Sequence, residues 1–217
     1  MIDPEQLQSV AMAPSRSARK AKGDGHLRRA EILRAAERIF VAEGYEGATI
    51  RKIADEVGVS STCLYMHFRD KDDILNEICC AALEELFELN SKIARMPLDA
   101  VERTRRMLRA YVDFALRNPN AYRLVFCSTP RPGQALRSEV TRELGQRASE
   151  RFLAVVREIA AEGRLKTGDP ETVHRALWAA CHGLASLIIT KPDLEWGSIE
   201  IQSRLVVDGL LFGLVSD

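Results

Sequence analysis

The tightest constraint on this chain lies between Thr49 and Phe68, where two short apolar-periodic segments meet at Gly58-Val59-Ser60. Ile50, Ile53, Ala54 and Val57 recur at three- and four-residue steps, as on one face of a helix, and Thr49 precedes them as an N-cap. Gly58 supplies the positive φ that a sharp reversal needs. Ser60 caps a second short helix, whose Leu64 and Phe68 fall one turn apart on its inner face. Joined by so tight a turn, the two helices cross steeply, with Ala54, Val57 and Leu64 between them. The pattern predicts a helix-turn-helix whose second helix presents Ser61, Thr62, Tyr65 and Met66 outward. A helix of that size fits the major groove of double-stranded DNA, where its first side chains meet base edges. Small hydroxyls and an aromatic, with no row of acids, suit a surface that approaches phosphates.

The same helical period runs through the rest of the chain. Upstream, Ile32, Ala35, Ala36, Ile39 and Phe40 mark a helix that Gly44 stops. Downstream, Asp70 with Asp73 opens a longer helix through Leu75, Ile78, Ala82, Leu86 and Leu89. Beyond Pro97 the candidate helices are 99–117, 119–127, 134–163, 170–190 and 197–215, separated by prolines or by Gly168 with Pro170. No stretch alternates as a half-buried strand does, so the fold class is all-α. The expected organisation is a tail over 1–25, a three-helix DNA-binding domain over 26–72 and a larger helical domain over 73–217. Arg16, Arg19, Lys20 and Lys22 in the tail, with Arg28 and Arg29 after it, fit either a solubilising segment or a basic arm laid along phosphates.

Composition narrows the function classes. At 46% hydrophobic and 29% charged residues, the 217-residue chain has the balance of a globular protein. Lys+Arg and Asp+Glu are 31 each, so any attraction to nucleic acid must be local. Five cysteines, Cys63, Cys79, Cys80, Cys127 and Cys181, form no Cys-x-x-Cys and are odd in number, which predicts reduced thiols in the cytoplasm. Neither a signal peptide nor a bilayer-length apolar run is present, so no membrane association is expected. His26, His67, His174 and His182 make no His-Glu-x-x-His pattern, and there is no phosphate-cradling glycine loop. No catalytic residue, metal or cofactor is expected, and an enzyme is disfavoured.

Residues 28–75 resemble the N-terminal domain of the TetR family of transcriptional regulators. Phe40 with Gly44-Tyr45, Thr49-Ile50, Ile53-Ala54, Gly58-Val59-Ser60, Leu64-Tyr65, His67-Phe68 and Lys71 match its pattern in order and spacing. The resemblance implies that Ser61 and Thr62 read bases or nearby phosphates, and that Tyr65 and His67 bond backbone phosphates. It places Lys71 at a phosphate and Thr49 close to the DNA backbone. The expected DNA-binding set is Thr49, Ser60, Ser61, Thr62, Cys63, Tyr65, Met66, His67 and Lys71. Cys63 stands where the family usually has Thr, which exchanges a hydroxyl for a weak thiol donor. It is either an oxidisable group beside DNA or a tolerated small side chain.

For the C-terminal region the resemblance implies dimerisation and an inducer cavity. The expected ligand-binding residues are Tyr111, Phe114, Tyr122, Phe126, Phe152, Trp178 and His182, although aromatics at helical spacing fit a plain core equally. Trp178 with His182-Gly183 resembles the signature of one TetR C-terminal subgroup. His182 either donates to an inducer or is a core group bonded to a backbone carbonyl. Leu177, Leu184, Leu187 and Ile188, with Leu205, Val206, Leu210, Leu211 and Leu214, are expected to build a four-helix homodimer interface. The function implied is a repressor that binds a palindromic operator as a homodimer. An apolar or aromatic inducer then releases it through the helix from Asp70 to Arg95.

Overall fold

The computed structural model describes residues 25–127 and 139–216. The expected basic tail, and positions 134–138 of the expected helix over 134–163, lie outside the described residues. Among the described residues nine α-helices follow one another, and the only β-structure is an isolated bridge between Leu165 and Val215. The all-α expectation is met.

Three helices form the first cluster: α1 (Gly25–Gly47), α2 (Ile50–Glu56) and α3 (Ser61–Tyr65). Gly44, at φ 71° and ψ 175°, breaks the regular helix as expected, and one last turn closes when Ala48 N–H donates to the Gly44 carbonyl at 3.1 Å. Ile32, Ala36 and Phe40 of α1 are buried against Ile53, Ala54, Leu64 and Phe68. The Arg29 guanidinium lies 4.2 Å from the centre of the Phe68 ring. It also bonds the Glu77 carboxylate and, at 2.6 Å, the His67 carbonyl. One arginine thereby ties α1, the end of α3 and the following helix together.

That following helix, α4 (Lys71–Ala94), opens where the Asp70 carboxylate accepts the Asp73 N–H at 2.7 Å. Its buried positions run from Ile74 through Ile78, Leu83 and Leu86 to Asn90 and Ile93. Its first turns therefore serve the N-terminal cluster and its remainder the larger one. At 24 residues it is about 36 Å long.

The larger cluster comprises α5 (Ala100–Arg117), α6 (Pro119–Tyr122), α7 (Glu139–Ala161), α8 (Pro170–Thr190) and α9 (Ile199–Leu214). α5 is the central element, packed by α4, α7, α8 and α9. It carries Arg103, Arg105, Arg106 and Arg109 on its wetter side, and Thr104, Leu108, Tyr111, Val112 and Ala115 inward. Arg105 and Arg109 both reach Asp208 of α9. Asp99, Asp169 and Ser198 cap α5, α8 and α9.

The segment expected as one helix over 119–127 differs. Pro119–Tyr122 is α-helical, and Arg123–Cys127 is a turn of π-helix. The Arg123 guanidinium donates to the Ile189 carbonyl of α8 there, and α6 and the π-turn both touch α1. Such turns tolerate an extra residue per turn where side-chain packing demands it, and here Tyr122 and Val125 are fully buried.

The leucines expected at a dimer interface divide into two groups. Leu177, Leu184 and Ile188 of α8 and Leu211 of α9 are buried within the chain itself, where these two helices pack on α5 and on each other. Leu187 and Leu205 are exposed, and Val206, Leu210 and Leu214 are half-buried. Ile201 and Phe212, not anticipated, join Leu205 on one exposed stripe of α9 at four- and seven-residue steps.

Candidate functional site

Two places in the molecule have the form of sites, the outer face of the helix-turn-helix and a cavity in the larger cluster. At the first, local chemistry fixes the geometry. The Thr49 hydroxyl accepts the Lys52 N–H at 3.2 Å, and the Ser60 hydroxyl accepts the Cys63 N–H at 3.2 Å. Gly58 takes φ 68°, and Val59 N–H returns to the Ala54 carbonyl at 3.0 Å. A side chain at Gly58 would meet no atom within 4 Å, so backbone conformation, not space, selects glycine there. With Leu64 fully buried, the rotation of α3 is fixed, and Thr62 and Tyr65 are held outward.

Thr49, Ser60 and Thr62 are exposed, while Ser61, Cys63 and His67 are half-buried. Tyr65 and Met66, the large side chains of this face, are 57% and 81% exposed. Lys71 lies apart from this face. Its ammonium donates to the Tyr45 and Ala48 carbonyls at 2.8 and 3.3 Å and sits 3.9 Å from the centre of the Tyr45 ring. Asp70, Asp72 and Asp73 surround it, so this helix start is poorer for an anion than the spacing of Lys71 suggested. Arg51 and Arg69 were not among the expected residues. Both side chains are 87% exposed, with carboxylates no nearer than 3.8 and 3.9 Å, and both flank this face in sequence. Their only signal was charge beside the motif.

The second place is a cavity of about 370 Å³ between α4, α5, the π-turn, α7 and α8. Of the expected ligand residues, Tyr111, Phe126, Phe152 and Trp178 line it. Phe114, Tyr122 and His182 do not. Phe114 and Tyr122 are fully buried in the surrounding core. His182 stands one layer behind the wall, where its Nδ1 faces the Tyr122 hydroxyl at 2.7 Å and the Tyr111 hydroxyl at 3.1 Å. Burial pushes the Tyr111 phenol up to about 12, raises Tyr122 further and lowers His182, so all three are neutral near pH 7. A neutral imidazole is the form whose Nδ1 accepts from a phenol.

Several lining residues went unanticipated, among them Asn90, Met107, Thr141, Gln146, Ser149 and His174. His174 packs against Phe152 at 4.9 Å between ring centres and meets the Ser149 hydroxyl at 3.4 Å through Nε2. Burial lowers its pKa as well. Among the described residues, no group of three or more His, Cys, Asp or Glu side chains is placed to hold a metal ion.

Residues 32–78 match the family model described as bacterial regulatory proteins of the tetR family, and residues 104–197 match the tetracyclin repressor-like C-terminal domain. The nucleoid occlusion factor SlmA of Vibrio vulnificus is 33% identical over 156 residues, spanning 70% of this chain and 76% of that protein. The HTH-type transcriptional activator FasR of Mycolicibacterium smegmatis is 33% identical over 99 residues, 46% of this chain, and the match covers only 45% of its length. Among solved structures, the TetR family regulator PfmR of Thermus thermophilus superposes with a TM-score of 0.71 at 26% identity, covering 83% of this chain and 97% of that one.

Proposed function

Because this chain belongs to the TetR family of DNA-binding transcriptional regulators, we propose that it is a ligand-released repressor, bound as a homodimer to a palindromic operator. The observation that carries the reading is the outer face of α3, where Thr62, Tyr65 and Met66 are held outward beside exposed Arg51 and Arg69. α3 enters the major groove, with Ser61, Thr62 and Met66 toward base edges. Tyr65, His67, Arg51 and Arg69 face phosphates, and Thr49 and Ser60 act chiefly as caps. Lys71 reaches a phosphate only by leaving the Tyr45 and Ala48 carbonyls, so its first role is to hold the end of α1 against α4. The DNA-binding domain is taken as 26–72 and the body as 73–217, in the cytoplasm where the DNA is.

Dimerisation is supported by the exposed α9 stripe of Ile201, Leu205 and Phe212 together with Leu187 of α8. Gly209 and Gly213 lie on the same helix, where a Cβ would meet nothing within the chain. Glycine inside a helix costs about 1 kcal/mol relative to alanine, and close approach by a partner helix is the return. A small apolar inducer occupies the cavity. α4 lines that cavity with Leu83, Leu86 and Asn90 and bonds Arg29 through Glu77, so a shifted wall is felt at the reading head.

The test is binding to the DNA that flanks the chain's own coding region, across a salt series. Saturable, selective binding with a negative salt slope is expected, weakened about tenfold or more by Tyr65→Ala. Selective binding that Tyr65→Ala leaves intact removes α3 from the interface and sinks this reading. A second reading, a role in nucleoid occlusion, draws on the match to SlmA, which extends beyond the helix-turn-helix. Genome-wide binding separates the two, since a repressor occupies promoters and an occlusion factor need not.

A further inference from the structure

The wall of the cavity changes character from one side to the other. Leu83 and Leu86 of α4 and Met107 and Leu108 of α5 are buried and present apolar side chains to it. Arg142, Gln146 and Ser149 of α7 also line it, and all three are exposed. They follow one another at four- and three-residue steps, so they share one stripe of α7. Gly145, between Arg142 and Gln146 in sequence, lines the cavity too, and a Cβ there would meet no atom within 4 Å. No side chain closes the space beside that turn. The cavity therefore has a closed apolar side and an edge, along α7, where polar side chains and water meet it.

Charge is distributed just as unevenly. Among the described residues that line the cavity, Arg142 alone carries a permanent charge, and no Asp or Glu is present. The Arg142 side chain is 65% exposed and stands 3.5 Å from the Glu139 carboxylate, which is itself exposed. Such a pair contributes little, so the guanidinium can turn to another anion at small cost. His174 of α8 meets the Ser149 hydroxyl at 3.4 Å through Nε2, and burial lowers its pKa, so it adds no second positive charge near pH 7. A cation in this cavity would meet Arg142 and find no counter-charge in the wall, whereas an anion at the α7 edge finds one.

Resting on the ligand-cavity reading above, and adding a charged end to its apolar ligand, we propose that the cavity takes an aromatic monocarboxylic acid, ring system inward and carboxylate at the Arg142–Gln146 edge. The guanidinium donates to the carboxylate oxygens, and the Gln146 amide, one turn further along α7, is a second donor. Solvation sets the orientation. On the Leu83 and Leu86 side a carboxylate would lose its water and find no cation, while at the exposed edge it keeps part of its hydration. Phe126, Phe152 and Trp178 supply flat walls for the ring system, and the volume of about 370 Å³ lies within the range of small-molecule pockets. The charged end is thus selected on α7, while the ring system presses on α4 through Leu83 and Leu86.

The test is calorimetric titration of the full chain with three probes of one shape, 2-naphthoate, 2-naphthamide and 2-naphthamidine. The carboxylate is expected to bind about fivefold more tightly than the amide, and the amidinium more weakly than either. The preference shrinks as salt is raised, because the pair lies within reach of water. Arg142→Gln changes an exposed side chain, and is expected to bring the carboxylate within about twofold of the amide while leaving the amide's own affinity in place. If the unaltered chain binds the carboxylate no more tightly than the amide, the proposal is overturned and the cavity reading remains. A preference that survives Arg142→Gln has the same consequence. If none of the probes binds, the ligand-cavity reading falls together with the proposal, while the DNA-binding test stands independently.

Discussion

The helix-turn-helix cluster and the larger helical cluster use the same element type and are held by opposite means. In the first, every helix is short or sharply ended, and position is set by caps at Thr49, Ser60 and Asp70 and by the Arg29 clamp. Its small core of Ile32, Ala36, Ile53, Ala54, Leu64 and Phe68 is sealed. In the second, long helices enclose a cavity, and the unmatched buried polar atoms among the described residues, on Asn90, Ser91, Thr104 and Arg109, all belong to it. One region excludes alternatives to a single shape. The other keeps unfilled volume and unmatched buried polar atoms, neither of which the sealed cluster shows among the described residues.

Substitutions break this contrast in order of size. Phe68→Ala removes a ring sealed between α1 and the Arg29 guanidinium, and is expected to cost about 3–5 kcal/mol in urea unfolding. A loss below about 1 kcal/mol contradicts the sealed-core description. Adding volume makes the sharper comparison. Ala54→Leu overpacks the helix-turn-helix and is expected to cost about 1–3 kcal/mol. Leu86→Phe points extra volume at the cavity and is expected to be neutral, or to stabilise by up to about 1 kcal/mol. Equal penalties for the two remove the distinction between the regions. Ser60→Ala deletes the cap of α3 and is expected to lower stability by about 1 kcal/mol, with Ser60→Thr retaining most of it.

The smallest effect is one of pH and belongs to the body alone. Burial lowers the pKa of His174 and of His182 below the ordinary 6.5. The unfolded chain therefore binds protons more readily at these two positions. Their contribution is complete above about pH 6.5 and is lost as pH falls from there toward the folded-state values. Melting temperature is expected to drop between pH 7.5 and 5.5, and by less in His174→Gln. The groups acting on His174 are Glu150 and Arg157 on α7 and Glu171 and Arg175 on α8, of mixed sign, so burial decides the direction. An equal drop in His174→Gln rules His174 out as a source of the effect.

The same contrast explains what could be read from residues alone. Caps, turn glycines and a three- and four-residue period are local signals, and the N-terminal cluster is built almost wholly from them. Thr49, Gly58 and Ser60 act in the structure as their spacing predicts. The cavity has no such local mark. Tyr111, Phe114, Tyr122 and Phe126 share one pattern, yet two of them face the void and two are sealed behind it, because α7 and α8 decide which side of the wall is open. Asn90 reads as one polar residue in an amphipathic helix until its neighbours are known. The π-turn over Arg123–Cys127 is likewise invisible in a segment whose apolar pattern fits a continuous helix.

α4 also has a mechanical property that follows from its length. From Asn90 back to Lys71 a helix spans about 28 Å, so a tilt of about 5° about the Asn90 end sweeps the other end through about 2.5 Å. Hydrogen bonds to a base edge tolerate a change of only about 0.5 Å in donor–acceptor distance. A lever of this ratio turns a wall adjustment no larger than a side-chain repacking into a misfit several times the tolerance at the far end. In the ligand-released reading proposed above, sensitivity comes from leverage, and the cavity has no need to open or collapse for an occupant to be felt.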